Sequence, residues 1–219
     1  MLNKLKPNSN MYGFVTSTWN TISGRCNHSC IYCYNLGRPF FDGALRLMEK
    51  NFKDNLGENG FIFVGSSNDL FQSEVPDEWI IRTLEHCKKY PKNRYLFQSK
   101  NPGRMAEFLH LMPDNSVYAT TIETNRDIKL GDAPSCYDRI YYFSSFPETR
   151  MITLEPLCDF DLDELKAMIM RCRPSWVNIG SDSKGHNLPE PTKEKINMLI
   201  KELEQFTKVI QKHNLGRLL

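Results

Sequence analysis

The chain has no long apolar run and no excess of charge of either sign. Its longest apolar stretches are short, such as Phe61 to Val64, far below the roughly 20 residues that a transmembrane helix needs. Residues 1–7 lack the continuous apolar stretch of a signal peptide. With 28 basic and 26 acidic residues the formal charge is +2, so any contact with nucleic acid must use a local patch. We therefore expect a cytoplasmic protein with no membrane partner.

Low-complexity tracts, internal repeats and linker-like shifts in composition are also missing. Hydrophobic residues make up 40% of the chain and charged residues 25%, a balance that excludes wholesale disorder. The 219 residues therefore predict one domain that spans 1–219. A domain of this size buries about 70% of its extended-chain surface and needs no disulfides.

What the chain does contain is an alternation of short β-rich runs with helical patterns. Six nearly continuous apolar or β-branched runs are typical of strands buried on both faces of a parallel sheet, at residues 13–18, 61–66, 94–99, 116–122, 150–155 and 176–181. Amphipathic segments lie between them, and the last one predicts a helix over about 192–213. The alternation predicts an α/β fold, either partly closed as a barrel or open as a doubly wound sheet. In both, functional residues collect at the carboxyl ends of the strands.

Seven cysteines in a cytosolic chain indicate metal or redox chemistry before disulfides. Cys26, Cys30 and Cys33 lie in one loop, residues 24–34, with the spacing Cys-x3-Cys-x2-Cys. Three thiolates can hold three corners of a [4Fe-4S] cluster, which leaves one iron open for catalysis. A structural zinc site is the alternative, but it needs four ligands. His28 lies too near the cysteines in the loop to complete a tetrahedral site, and the other four cysteines contain no second Cys-x2-Cys pair.

The cysteine loop and several other segments resemble a known family. The spacing of the three cysteines, the aromatic Tyr32 before the last of them and the preceding strand are similar to the radical S-adenosylmethionine (SAM) superfamily. The chain also resembles the phage-type subgroup of this superfamily, which has no assigned function and is related to spore photoproduct lyase. This resemblance covers residues 17–20, 63–71, 75–80, 99–105 and 154–157. The resemblance implies a partial (β/α)6 barrel of six parallel strands, with a [4Fe-4S] cluster on Cys26, Cys30 and Cys33. It also implies SAM on the open iron, a reductant such as flavodoxin or ferredoxin, and a phage-encoded protein in the host cytoplasm.

The resemblance further implies how SAM would be held and used. Tyr32 should pack against the adenine, and an electron from the cluster would cleave SAM to methionine and a 5′-deoxyadenosyl radical. The family usually ends its second strand in Gly-Gly-Glu, but this chain lacks that glutamate. The groups left to accept the SAM ammonium are those of Gly65, Ser66, Ser67 and Asn68. Glu123 is predicted to contact the ribose and Arg126 the SAM carboxylate, with a helix cap or a surface contact as the alternative.

Four more residues are predicted near the open end of the barrel. Lys100 and Glu155 follow predicted strands and are assigned to cofactor binding, although Glu155 has a structural alternative, an acid bonded to backbone amides. In chemistry like that of spore photoproduct lyase, a cysteine returns a hydrogen atom to the product radical. Cys158 and Cys136 are candidates for this role, and a small buried hydrophobe is the alternative for each.

The lead hypothesis is a radical SAM enzyme that acts on a nucleobase in DNA or on a nucleotide, in modification or repair. The cysteine loop indicates the radical chemistry, whereas the nucleobase rests on family resemblance alone. One alternative keeps the radical chemistry but takes a peptide or small metabolite as substrate. Another is a non-catalytic iron–sulfur or zinc protein that binds a partner, which the missing glutamate after the second strand favours.

Overall fold

The computed structural model describes residues 1–6 and 10–219, and within these residues strands and helices alternate along the chain. The strands are β1 (Leu2–Lys4), β2 (Ser17–Trp19), β3 (Ile22–Ser23), β4 (Arg46–Leu47), β5 (Phe61–Val64), β6 (Arg94–Gln98), β7 (Ser116–Thr121), β8 (Arg150–Leu154), β9 (Trp176–Ile179) and β10 (Lys208–Gln211). The α-helices are α1 (Pro39–Asp42), α2 (Asp77–Lys88), α3 (Pro102–Glu107), α4 (Cys136–Phe143), α5 (Leu162–Cys172) and α6 (Lys193–Leu203). Short 3-10 helices cover Glu49–Lys53, Leu109–Leu111 and His213–Arg217. No helix in the described ranges is long and apolar enough to cross a membrane.

Eight strands form one sheet in the order β1-β2-β5-β6-β7-β8-β9-β10. Only β1 is antiparallel to its neighbour, and every other pair in this sheet is parallel. Each of the six predicted runs overlaps one of the parallel strands. Because the strand order follows the chain, each crossover leads to the next position of a partial (β/α) barrel. The predicted fold class is therefore confirmed.

The end of the chain differs from the prediction. α6 ends at Leu203, and Lys208–Gln211 form β10, a seventh parallel strand that pairs with β9. The predicted helix over about 192–213 is therefore wrong beyond residue 203. Val209 and Ile210 continue the helical spacing of apolar residues, but they are β-branched and suit a half-buried edge strand.

Two hydrophobic clusters cover the two faces of the sheet. The larger lies under the helices and contains Ile62 and Val64 of β5, together with helix residues such as Leu84. The smaller contains Phe61 and Phe63 of the same strand, because successive side chains of a strand point to opposite faces. This second cluster lies inside the partial barrel and forms an apolar wall beneath the carboxyl ends of the strands.

Candidate functional site

The carboxyl ends of the parallel strands surround a cavity of about 510 Å³. Its wall combines residues that follow five different strands with residues of the cysteine loop and of the N-terminal segment. Those that follow strands include Gly65, Lys100, Glu155, Ser181 and Lys212. This is the edge at which the sequence predicts function, because parallel strands bring their following loops to one side of the sheet.

Cys26, Cys30 and Cys33 all line this cavity and are partly buried. Burial and the nearby carboxylate of Asp69 raise the pKa of the Cys26 thiol to about 12. Burial also raises the pKa of Cys30, although the ammonium of Lys100 opposes this shift. Cys26 and Cys30 therefore hold protons at neutral pH unless a metal centre binds them and replaces those protons.

The cysteine loop is held against the turn that follows β5. The side-chain amide of Asn68 donates to the carbonyl of Gly24 at 2.8 Å. In the other direction, the Tyr34 hydroxyl donates to the Ser66 carbonyl at 2.8 Å, and the Asn35 amide donates to the Ser67 carbonyl at 2.7 Å. The turn after β5 therefore uses much of its hydrogen-bonding capacity to hold the cysteine loop.

Asp69 ties three parts of the site together. Its buried carboxylate lies 2.8 Å from Nε2 of His28 in the cysteine loop. It also accepts the Ser99 hydroxyl at 2.9 Å and the Lys100 backbone N–H at 2.8 Å, both after β6. Burial alone would raise the pKa of Asp69, but His28 and the backbone donors lower it. The carboxylate is therefore an ionised anchor between the cysteine loop and the ends of β5 and β6.

A second support for the loop comes from residues 130–132, which the sequence does not single out. The Ile31 N–H donates to the Leu130 carbonyl at 3.0 Å, and the Asp132 N–H donates to the His28 carbonyl at 2.7 Å. Between them Gly131 has φ +152°, and a Cβ there would lie 2.5 Å from the His28 carbonyl oxygen. Only glycine fits this close approach of two backbones.

Tyr32 is fixed by a buried network behind the cavity wall. Its hydroxyl donates to Glu123, which is 1% exposed, and Nη1 of Arg139 donates to the same carboxylate at 2.7 Å. The Cys136 thiol is a third donor, at 3.3 Å. Burial opposes ionisation of Glu123, but Arg139 and Lys100 lower its pKa. One feature of the sequence could have indicated this role of Arg139. It is a charged residue on the same buried face of α4 as Ile140 and Phe143.

The structure brings most, but not all, of the predicted site residues to the cavity. The predicted cofactor-binding residues that line it are Tyr32, Gly65, Ser66, Ser67, Asn68, Lys100 and Glu155. The predicted residues outside its wall are Glu123, Arg126, Cys136 and Cys158. Glu155 accepts from side chains, Lys212 at 2.6 Å and Asn214 at 3.0 Å, rather than from backbone amides.

Arg126 lies on the surface rather than at the cavity. Its side chain is 38% exposed and forms ion pairs with Asp159 and, at 2.7 Å, with Asp161. This is the surface contact that the sequence analysis keeps as the alternative to the SAM carboxylate. The sequence could not distinguish the two, because both acids lie more than 30 residues away along the chain.

The two candidate hydrogen donors lie behind the cavity wall. Cys158 is fully buried, and burial together with Glu123 raises its pKa to about 12. Burial also raises the pKa of Cys136, to about 11, and its thiol points to Glu123. A hydrogen-donor role for either thiol stays a prediction.

One further pair on the cavity wall is missed by the sequence analysis. Asp182 and His186 follow β9, and Nδ1 of His186 lies 2.6 Å from Oδ1 of Asp182. An acid four residues before a histidine is a common sequence pattern, so only the fold reveals that both face the site. Lys184 of the same loop donates to the Tyr34 carbonyl at 2.7 Å and links the loop to the cysteines.

Comparison with solved structures identifies the fold. Spore photoproduct lyase matches with a TM-score of 0.67 and 11% identity, over 96% of this chain and 81% of that chain. A variant of that enzyme with bound AdoMet and dinucleoside spore photoproduct matches with a TM-score of 0.66 and 11% identity, over 95% and 78% of the two chains. These likenesses confirm the partial-barrel fold.

At the level of sequence, no curated protein matches the chain. The family model described as protein of unknown function (DUF5131) matches residues 10–203, which is most of the chain. The protein thus belongs to the DUF5131 family and has the partial-barrel fold of spore photoproduct lyase.

Proposed function

We propose that this protein is a radical SAM enzyme, one domain over residues 1–219, that takes a hydrogen atom from a nucleobase in DNA or in a nucleotide. The observation that carries the proposal is the common cavity. Cys26, Cys30 and Cys33 reach it from one loop, and the loops after five parallel strands complete its wall. When bound, a [4Fe-4S] cluster supplies the electron that cleaves SAM into methionine and a 5′-deoxyadenosyl radical.

The cysteines suit a cluster better than a single ion. A lone zinc needs its sulfur ligands about 4 Å apart, because each Zn–S bond is about 2.3 Å long. Within residues 1–6 and 10–219, no group of three or more His, Cys, Asp or Glu side chains is arranged to hold a metal ion. In a cubane each cysteine binds a different iron, so the three thiolates stand further apart. Among the described residues no fourth cysteine lines the cavity, which supports a cluster with one iron left for SAM.

The chain's own residues would position SAM through the turn after β5 and the end of β6. Asn68 already bonds the cysteine loop and Gln72, so its amide has little capacity for the SAM ammonium. The Ser67 hydroxyl is the better acceptor, because the Ser66 hydroxyl already bonds the Asn20 side chain at 3.3 Å. Lys100 lies 5.3 Å from the centre of the Tyr32 ring, where a cation suits the SAM carboxylate. Glu123 holds Tyr32 in place for adenine stacking instead of touching the ribose.

The substrate would lie across the apolar part of the cavity. Tyr12 and Phe63 present aromatic side chains there, and Lys184 and Lys212 lie at the same wall. Aromatic rings that stack on bases beside cations that meet phosphates are typical of nucleotide sites. The solved relative binds a dinucleoside lesion, which supports the same substrate class here. The alternative substrates, a peptide or a small metabolite, would undergo the same radical chemistry. Substrate screening distinguishes them from a nucleobase.

The decisive experiment measures 5′-deoxyadenosine. The protein is purified and reconstituted with iron and sulfide without oxygen, then given SAM and dithionite. We expect product from the wild type and none from Cys30→Ala. The matched control is Cys172→Ala, because Cys172 is a buried cysteine of α5 far from the loop in sequence. It should keep both iron and product.

A second candidate is a non-catalytic iron–sulfur protein that binds a partner. The missing glutamate and the largely occupied polar groups of residues 65–68 favour it, because they reduce the capacity to hold the SAM ammonium. This candidate predicts full iron and sulfide content with no SAM binding in equilibrium dialysis. A fully loaded wild type that binds no SAM and yields no 5′-deoxyadenosine would reject the enzyme proposal.

A further inference from the structure

The loop after β9 carries a carboxylate and an imidazole that the proposed function leaves unused. Asp182 and His186 both line the cavity that the three cysteines line. The side chain of Asp182 is 4% exposed and that of His186 is 20% exposed. The imidazole is therefore the more accessible member of the pair.

The hydrogen bond between the two side chains has a defined donor and a defined acceptor. Burial opposes ionisation of Asp182, but hydrogen bonds from the His186 ring and from backbone N–H groups lower its pKa. An ionised carboxylate only accepts hydrogen bonds, so the proton between the two groups belongs to Nδ1 of His186. In the part of the chain that the structure describes, no group hydrogen-bonds Nε2, which leaves that nitrogen for a ligand.

A structural cap explains only part of this arrangement. Asp182 accepts the backbone N–H of Lys184 at 3.2 Å and that of His186, which is sufficient to stabilise the turn. Such a turn places no requirement on the side chain at position 186. A histidine whose Nδ1 is fixed by a buried acid, and whose ring faces the reaction cavity, is the pattern of an oriented acid–base group.

Other charged groups surround the pair. Lys184 belongs to the same loop, and Arg217 of the last 3-10 helix donates to the Asp182 carbonyl at 3.2 Å and pairs with Glu190. Glu155 and Lys212 form their own pair on the same cavity wall. Asp182 is the one acid among them that bonds the imidazole directly, so it orients the ring.

We propose that His186, oriented by Asp182, is the general acid–base residue for the substrate of this cavity. The proposal rests on the proposed function and adds a proton transfer to the hydrogen-atom chemistry. A substrate N–H or O–H gives its proton to Nε2, and the bonding electron pair stays on the substrate heteroatom. Asp182 keeps its hydrogen bond to Nδ1–H throughout, and the imidazolium returns the proton in the reverse step. The transfer involves no change in redox state and no co-reactant.

The first test needs no cluster. The ring nitrogens of the metal-free protein, labelled with ¹⁵N-histidine, are followed by NMR against pH, and His186→Gln identifies the signals of residue 186. We expect the neutral ring to carry its proton on Nδ1, and Asp182→Asn to mix the two tautomers. A proton on Nε2, or a tautomer ratio that Asp182→Asn leaves unchanged, overturns the proposal.

The second test uses the reconstituted enzyme with the dinucleoside spore photoproduct as probe. The rate of 5′-deoxyadenosine release in the presence of the probe is measured against pH. We expect His186→Gln to lower this rate by about 100-fold and to remove one limb of the pH profile. The control His110→Gln removes an exposed histidine of the second 3-10 helix and should match the wild type.

The two proposals fail in different ways. A wild type that makes no 5′-deoxyadenosine under any condition rejects the radical SAM function, while the ring NMR still reports on the Asp182–His186 pair. If the wild type makes 5′-deoxyadenosine, and His186→Gln does not alter the pH profile in the presence of the probe, only the acid–base role is rejected.

Discussion

At the scale of single residues, position 131 shows how closely the cysteine loop is fitted. We expect Gly131→Ala to reduce bound iron after reconstitution by more than half. Its Cβ would lie 2.5 Å from the His28 carbonyl oxygen and 2.9 Å from the Cys30 Cα, so the loop must move away from residues 130–132. Iron and sulfide assays on the purified variant, beside the wild type, measure the effect.

Gly57→Ala is the control for this prediction, because it introduces backbone strain without displacing the cysteine loop. Gly57 also has a positive φ, +68°, but a Cβ there meets nothing within 4 Å. This control should lose about 1 kcal/mol of stability and keep its iron. Equal iron content in the two variants would contradict the view that residues 130–132 hold the loop.

The buried ion pair behind Tyr32 gives a second prediction at this scale. Arg139→Met should lower the free energy of unfolding by about 3–5 kcal/mol, because it leaves the Glu123 carboxylate buried and uncompensated. The double variant Glu123→Gln/Arg139→Met should be less destabilised than Arg139→Met alone, since it removes the charge as well as its partner. Urea unfolding of the metal-free proteins at pH 7 tests the order. If the double variant loses as much stability as Arg139→Met and Glu123→Gln lose separately when added together, the pair does not interact as the 2.7 Å distance indicates.

At the scale of elements, the start of α4 sets the position of this pair. Ser135 is the N-cap of α4 and accepts the Asp138 N–H at 3.1 Å, directly before Cys136. Ser135→Ala should therefore cost about 1 kcal/mol. Ser145→Ala, at an exposed serine beyond the end of the helix, should change stability by less than about 0.5 kcal/mol. Thermal and urea unfolding of both variants provide the comparison.

Elements with a local signal could be predicted from the sequence. The strands of the parallel sheet are continuous apolar runs such as 61–64, and the three cysteines lie within eight residues of one another, so short windows reveal both. β10 could not be found this way, because Val209 and Ile210 fit the helical period of α6 as well as a strand. Only its pairing with β9 decides between them.

Contacts between distant parts of the chain account for the rest of the site. Asp69 bonds His28, 41 residues away, and Tyr32 bonds Glu123, 91 residues away. Neither partner can be read from spacing, because the barrel brings the ends of successive strands together only after folding. This is why the three cysteines are predicted as a set from the sequence, whereas Arg139, His186 and the support at 130–132 are not.

At the scale of the whole molecule, the cavity depends on carboxylates that folding buries in an ionised state. Asp69, Glu123 and Asp182 all have lowered pKa values in the folded protein, because cations and hydrogen-bond donors outweigh the cost of burial. In the unfolded chain such groups titrate at about 3.9 to 4.3. A group with a lowered folded pKa contributes its full stability above the unfolded pKa, and this contribution disappears as pH falls through the folded pKa.

The metal-free protein should therefore lose stability steadily as the pH falls below about 5, by up to about 1.4 kcal/mol per pH unit for each such carboxylate. Urea midpoints between pH 7 and pH 3 measure this acid limb. Asp69→Asn should be less stable than the wild type at pH 7 and should show a flatter limb, because the variant has one fewer carboxylate that must take up a proton. Glu58→Gln, at an exposed acid paired with Lys92, should leave the slope unchanged. If the limb of Asp69→Asn were as steep as that of the wild type, acid unfolding would begin elsewhere, and the junction of the cysteine loop with β5 and β6 would not be where protons destabilise the barrel.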